Sequence, residues 1–180
     1  MVRVDRSVVD AIVAHARRDH PDEACGVVAG PAGSDQAVRF IPMLNAERSM
    51  TGYRFDEDEW RRVWLDLDDR DEEPVVIYHS HTATEAYPSR TDIRRAGEYA
   101  MFLPDPHYLL VSTRDADTAE IRSFRIVDGV VTEEPVELVE SDGSTPESVL
   151  AKASGKPDAV QSYKFGHTPT SVVYDCSDQV

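Results

Sequence analysis

Pro74-Val75-Val76-Ile77-Tyr78-His79-Ser80-His81-Thr82-Ala83-Thr84-Glu85-Ala86-Tyr87-Pro88-Ser89-Arg90-Thr91-Asp92 lies near the middle of the chain, and the architecture follows from it. Its first part is a β-branched run introduced by a proline, the composition of a central strand. The run passes directly into His79-Ser80-His81. A loop then reaches Pro88, and Ser89 begins a helix expected to continue to Tyr99. Strand, loop and helix follow one another with no long connection.

Upstream, residues 7–19 carry Val9, Ile12, Val13 and Ala16 at i, i+3, i+4, i+7, a helical stripe with Asp5 or Ser7 as its cap. His15 and His20, on or just after this helix, read as solvated or capping, and Pro21 marks a break. Cys25 to Gly30 reads as a short buried strand. Val38 to Leu44 reads as an edge strand, because Pro42 has no N–H for a ladder. Residues 56–68 predict a helix capped by Asp56, with Trp60, Val63, Trp64 and Leu67 turned inward. Downstream, His107 to Thr113 is a strand. Ala119 to Val127 and Val130 to Val139 alternate around Asp128-Gly129, a hairpin signal. The order α-β-β-α-β-α-β-β-β predicts an α/β domain over residues 1–140, with helices packed on one mixed central sheet. Residues 141–180 open on a turn-rich break, Ser141 to Glu147, and predict a flexible or partly docked tail. Docking would use Tyr163, Phe165, Val172, Val173 and Tyr174.

The chain has 180 residues, 41% of them hydrophobic, enough for one core. Its 34 acidic residues against 19 basic give a formal net charge of −15. Such a surface argues against non-specific binding to nucleic acid or an anionic membrane. The two cysteines, Cys25 and Cys176, form no C-x-x-C pair and imply no disulfide framework. The N-terminus does not read as a signal peptide, and the apolar runs are too short to span a bilayer. The expectation is a cytoplasmic protein.

On a strand, side chains at i and i+2 share a face, so His79 and His81 can converge on one ion. Asp92, one turn into the next helix, can be folded back beside them. Two nitrogens and one carboxylate oxygen, with a position left for water, are the donor set of a catalytic zinc site. A structural zinc would use four protein ligands rich in cysteine, and neither cysteine here has that spacing. Ser89-x-x-Asp92 also matches a helix capping box, and the two readings are compatible. Catalytic zinc makes water acidic and needs a carboxylate to move its proton. Asp22 and Glu23 both lie at a suitable place, and spacing alone does not choose between them.

The pattern Glu23 … His79-Ser80-His81 … Ser89-x-x-Asp92 resembles the motif of the JAMM (MPN+) metalloproteases, E … H-S/T-H-x7-S-x2-D, at every polar position. Pro21-Asp22-Glu23-Ala24-Cys25-Gly26-Val27-Val28-Ala29-Gly30 resembles the segment that carries the family's glutamate, which selects Glu23. The resemblance covers roughly residues 3–140. It implies a fold similar to that of the cytidine deaminases. Within the family, His15 to Gly26, Asn45-Ala46-Glu47-Arg48-Ser49 and Tyr78 to Asp92 resemble the bacterial sulfur-carrier-protein–cysteine hydrolases. Thr82 departs from the wider family, where proline often follows the second histidine, and the subgroup accommodates it.

The resemblance implies one zinc per chain held by His79, His81 and Asp92. It also implies Glu23 as general acid/base and Ser89 as an oxyanion donor. The implied substrate is a small ubiquitin-like sulfur-carrier protein, cut after its C-terminal Gly-Gly to release cysteine in cysteine biosynthesis. The carrier tail would lie as an added strand in a groove leading to the metal, with Asn45, Tyr53 and Arg54 as candidate lining residues. Two alternatives remain. One is a JAMM isopeptidase acting on another ubiquitin-like conjugate or a secondary-metabolite carrier. The other is a non-catalytic MPN-type scaffold, which the complete ligand set disfavours.

Overall fold

A computed structural model describes residues 1–140 apart from Pro104, and the backbone of residues 164–165 and 171–175. In chain order the elements are β1 (Val2–Asp5), α1 (Arg6–Asp19), β2 (Cys25–Pro31), β3 (Gln36–Ala37), β4 (Arg39–Met43), α2 (Glu57–Asp69) and β5 (Glu72–His81). They continue with α3 (Arg90–Tyr99), β6 (His107–Ser112), β7 (Thr118–Val127), β8 (Val130–Glu134), β9 (Val136–Val139), β10 (Lys164–Phe165) and β11 (Ser171–Asp175).

The larger sheet has the order β10-β11-β7-β6-β5-β2-β4, with β8 also on β7. β5 is central, antiparallel to β2 and parallel to β6. This is the mixed central sheet expected, with β4 at one edge as Pro42 requires. Alternation along β5 separates two cores. Val76 and Tyr78 join the cluster under α1 with Val9, Ile12 and Val13. Ile77 joins the opposite cluster with Tyr53, Phe55, Ala96 and Leu110. His79 and His81 continue the Ile77 face, toward α3. Gly26 holds the strands close: a Cβ there would sit 2.4 Å from the Ile41 carbonyl and 2.6 Å from the Tyr78 hydroxyl.

The cap expectations hold at Asp5, which accepts from the Ser7 amide, and at Asp56, which accepts from Glu59. The hairpin turn is also as expected, with Asp128 and Gly129 at φ 50° and 77°, the mirror-image turn that matches strand twist. Other features differ from expectation. Val130 to Val139 is two strands, because Pro135 cannot continue the ladder. β8 stays antiparallel to β7, whereas β9 crosses to a second, three-stranded sheet, β3-β1-β9, and runs parallel to β1. β1 itself is too short to show a period, yet Val2 and Val4 are fully buried. His15, expected to be solvated or capping, is buried and bridges the Tyr78 hydroxyl at 2.7 Å and Asp19 at 3.0 Å.

In the tail, β11 pairs antiparallel with Thr118 to Arg122 of β7 and covers that edge of the sheet. The rest of 141–180, including Cys176, and the expected docking by Tyr163, Phe165, Val172, Val173 and Tyr174 side chains, lie outside the described residues. No described helix is long and apolar enough to cross a membrane.

Candidate active site

β5 ends at the site. His79 and His81 project from one face of its last residues, and both are buried. Their Nε2 atoms are 3.2 Å apart. Asp92, in the first turn of α3, brings Oδ1 within 3.4 Å of His79 Nε2 and Oδ2 within 3.4 Å of His81 Nε2. A tetrahedral site with ligand distances of about 2.0–2.1 Å has edges of about 3.3 Å. The two imidazoles are one such edge apart and each lies at that distance from its own Asp92 oxygen, and one donor atom from each residue lies within 4.8 Å of the others. The aspartate is held by the helix start. Ser89 Oγ accepts from the Asp92 amide at 3.2 Å, and Asp92 Oδ2 accepts from the Ser89 amide at 2.7 Å. This is the capping box read from the sequence, and it aims the same carboxylate at the histidines. Ser89 Oγ accepts in that bond, so its proton stays free to donate, and the residue is exposed.

His81 is oriented from behind: its Nδ1 lies 2.8 Å from the Glu85 carbonyl and 3.2 Å from Thr84 Oγ1. Donation from Nδ1 leaves the Nε2 lone pair facing the site, the usual arrangement of a metal-binding imidazole. No sequence signal marks this partner, since it is a backbone oxygen. Ser80, between the histidines, faces the other way, and its hydroxyl accepts from the Ala24 amide at 2.8 Å. The Ser80 amide donates back to the Ala24 carbonyl. These bonds, with Cys25 opposite His79, carry Glu23 to the level of His81.

Glu23 is only 4% exposed, and its Oε2 has no hydrogen-bond partner among the described residues. Burial raises its pKa to about 8, against an opposing effect of His81. A lone buried carboxyl beside two imidazoles and a carboxylate is a group poised to exchange a proton. Burial pushes Asp92 up too, but the His79 and His81 rings overturn this and hold it far below the carboxylate range. Burial depresses His79; it also depresses His81, but there Asp92, the Glu23 carboxyl and the Glu85 carbonyl together overcome it and raise the ring. Without metal, the site therefore stores protons. A divalent cation beside these groups favours the ionised carboxyl and neutral imidazole. Metal uptake near pH 7 is expected to release about one to two protons per ion. A pH indicator in weakly buffered solution measures this; uptake without acidification would contradict the protonation scheme.

Residues 44–55 form a loop over the site, organised by Asn45. Its Nδ2 donates to the carbonyls of Glu23 (2.9 Å) and Gly52 (3.0 Å), and its Oδ1 accepts from the amides of Glu47 (3.0 Å) and Arg54 (3.2 Å). The Glu23 amide donates to the Ser49 carbonyl at 2.8 Å. Asn45 is thus engaged within the loop, where it holds the backbone of Glu23. Tyr53 packs on His79 with ring centroids 4.4 Å apart. Arg54 directs its half-exposed guanidinium toward Glu57, 3.8 Å away.

Residues 5–127 match the family described as prokaryotic homologs of the JAB domain. The chain belongs to this family. The JAB-domain chain is 65% identical over 140 residues to a CysO-cysteine peptidase of Mycobacterium tuberculosis, spanning 78% of this chain and 91% of the relative. It is 33% identical over 92 residues to a desampylase of Haloferax volcanii, spanning 48% of this chain and 66% of that one. Among solved structures it is similar to a Desulfitobacterium hafniense protein, with TM-score 0.68, 30% identity, and 78% and 94% of the two chains covered. The JAB/MPN fold expected from the motif is therefore the fold of this chain.

Proposed function

We propose that this JAB-domain protein is a zinc-dependent peptidase. It hydrolyses the amide bond after the C-terminal Gly-Gly of a small ubiquitin-like sulfur-carrier protein and releases cysteine, in the cytoplasm. The observation that carries this is the converging His79–His81–Asp92 triad with Glu23 beside it, in a chain 65% identical to a CysO-cysteine peptidase.

Zinc, when bound, supplies Lewis acidity and makes water a nucleophile at neutral pH. Glu23 takes the proton from the attacking water at its unpartnered Oε2 and returns it to the leaving amine nitrogen, so that the amine departs neutral. The Ser89 hydroxyl donates to the oxyanion that develops on the former carbonyl. The carrier tail lies extended in the approach to the site, with Arg54 offering a charge at its rim; Asn45 and Tyr53, both buried, act from behind by holding the 44–55 loop and the His79 ring.

Ser89→Ala is expected to lower kcat by about 10²–10³-fold, the usual loss of one oxyanion donor. The same change removes an N-cap worth about 1 kcal/mol, which urea denaturation measures separately. An unchanged kcat would remove Ser89 from the reaction.

A second reading, an isopeptidase acting on another ubiquitin-like conjugate, draws support from the 33% identity to the desampylase. The test is to present the zinc-loaded protein with a carrier–Gly-Gly–cysteine adduct and, separately, a lysine-linked conjugate of the same carrier. Preferential release of cysteine, lost with a chelator and restored by zinc, supports the first reading. Preferential cleavage of the lysine linkage favours the second. Zinc binding without cleavage of either removes both substrates, and failure to bind zinc leaves a scaffold.

A further inference from the structure

The two histidines of the triad are held differently. His81 has the hydrogen bond from Nδ1 that fixes ring orientation and tautomer, to the Glu85 carbonyl. His79 has none: its Nδ1 is buried without a partner among the described residues. A ligand ring lacking that bond is free to turn about its χ2 torsion, which is broad and shallow for histidine, and would swing Nε2 away from the other donors.

What stops His79 turning is an aromatic wall. The Tyr53 ring lies nearly parallel to the imidazole, at 24° and 4.4 Å between centroids. Tyr53 is itself 1% exposed and pinned on its other sides. The Arg95 guanidinium lies 5.5 Å from its ring centroid, and Phe55 packs against it at 5.6 Å. Arg95 is tied to Glu47 at 2.7 Å, and Glu47 is tied through its amide to Asn45. The residue that supports the Glu23 backbone thus also closes the loop that presses Tyr53 onto His79. Arg95 follows Asp92 by three positions on α3, so the helix that delivers the carboxylate ligand delivers this brace as well.

We propose that Tyr53 is a positioning residue for the metal centre, its flat contact replacing the hydrogen bond that His79 lacks. This rests on the metal-centre reading above and adds to it a specific support for one ligand. The contact needs an aromatic face and makes no use of the phenol hydroxyl. Its loss affects ligand geometry, whereas loosening the rest of the core does not.

The test is the zinc affinity of the full chain, by competition with a chromophoric chelator, together with the visible absorption of the cobalt-substituted protein. Tyr53→Phe keeps the wild-type affinity and spectrum. Tyr53→Leu and Tyr53→Met weaken binding by about 10–100-fold, the usual effect of losing an outer support of a ligand, and alter the cobalt bands. Val28→Ala, in the core cluster on the other side of the sheet, loosens the fold and keeps the wild-type affinity. Where Tyr53→Leu does not fold, Tyr53→Met, closer to the original in length, carries the comparison. Wild-type affinity and spectrum in the aliphatic variants would overturn the positioning role. So would an equal loss of affinity in Val28→Ala, which would show a general effect of destabilisation. A wild-type chain that takes up neither zinc nor cobalt would instead overturn the metal-centre reading, and the role of Tyr53 with it.

Discussion

Glu23→Gln is expected to retain its metal and to cleave about 10⁴-fold more slowly than the wild type, the upper end of what a positioned proton-transfer group contributes. The substitution keeps size and shape, so the backbone bonds of residue 23 to Ser49 and Asn45 are preserved. What it removes is the ability to accept a proton at Oε2. Among the described residues, the acids nearest to it are engaged: Asp92 is occupied by the two imidazoles and the helix start, and Glu47 is paired with Arg95. Single-turnover cleavage alongside metal analysis of the same sample checks both parts. Near-normal turnover would show that the proton moves elsewhere.

The same variant has a second expected effect, on the metal-free protein. The folded-state pKa of Glu23 is raised from 4.5 to about 8. Between those values the folded chain binds the proton and the unfolded chain has lost it. This group's contribution is therefore fully present below about pH 4.5 and is lost as pH rises toward 8. Glutamine mimics the protonated carboxyl at every pH, so the variant should lack that part of the decline. Urea denaturation of both apo proteins across the window measures the difference; parallel profiles would contradict the raised pKa.

His79→Ala is expected to purify without metal and without activity. Two remaining donors, His81 and Asp92, do not make a site of useful affinity. The effect is visible without any substrate. A metal that binds only the folded state at about 1,000 times its Kd adds about 4 kcal/mol of stability, roughly 8–16 °C in Tm for a chain of this size. The wild type should show that rise on adding zinc, and His79→Ala should show none. The apo variant is also expected to melt below the apo wild type, because Tyr53 loses the ring it packs against. A zinc-dependent rise in the variant equal to that of the wild type would mean that the ion sits elsewhere.

The ligand set was legible because each part obeys a local rule. Period-two alternation puts His79 and His81 on one face, and a helix start fixes Ser89 against Asp92. The glutamate was not chosen by any such rule, and only the resemblance separated Glu23 from Asp22. The partners that hold these side chains are silent in the sequence. The Glu85 carbonyl is a backbone atom, and the fourfold engagement of Asn45 depends on a loop path that no periodicity encodes. The misread strand at 130–139 has a similar cause. Apolar residues resume directly after Pro135 at Val136, Leu138 and Val139, and pattern alone does not say that this second half pairs with β1 in another sheet. His15 was misread because its partner, the Tyr78 hydroxyl, is far away in sequence. Trp64, read as core from its spacing, is 40% exposed, since α2 lies over the end of its cluster with Trp60 and Val63 packed inward.

The most direct test of the account is mass spectrometry of a carrier–Gly-Gly–cysteine adduct after incubation with the zinc-loaded chain in ¹⁸O-labelled water. The predicted result is a carrier lighter by one cysteine residue, carrying one labelled oxygen in its new C-terminal carboxylate, with both changes absent for Glu23→Gln. An adduct left intact by a chain that holds its zinc, or a cleaved carrier without label, would contradict it.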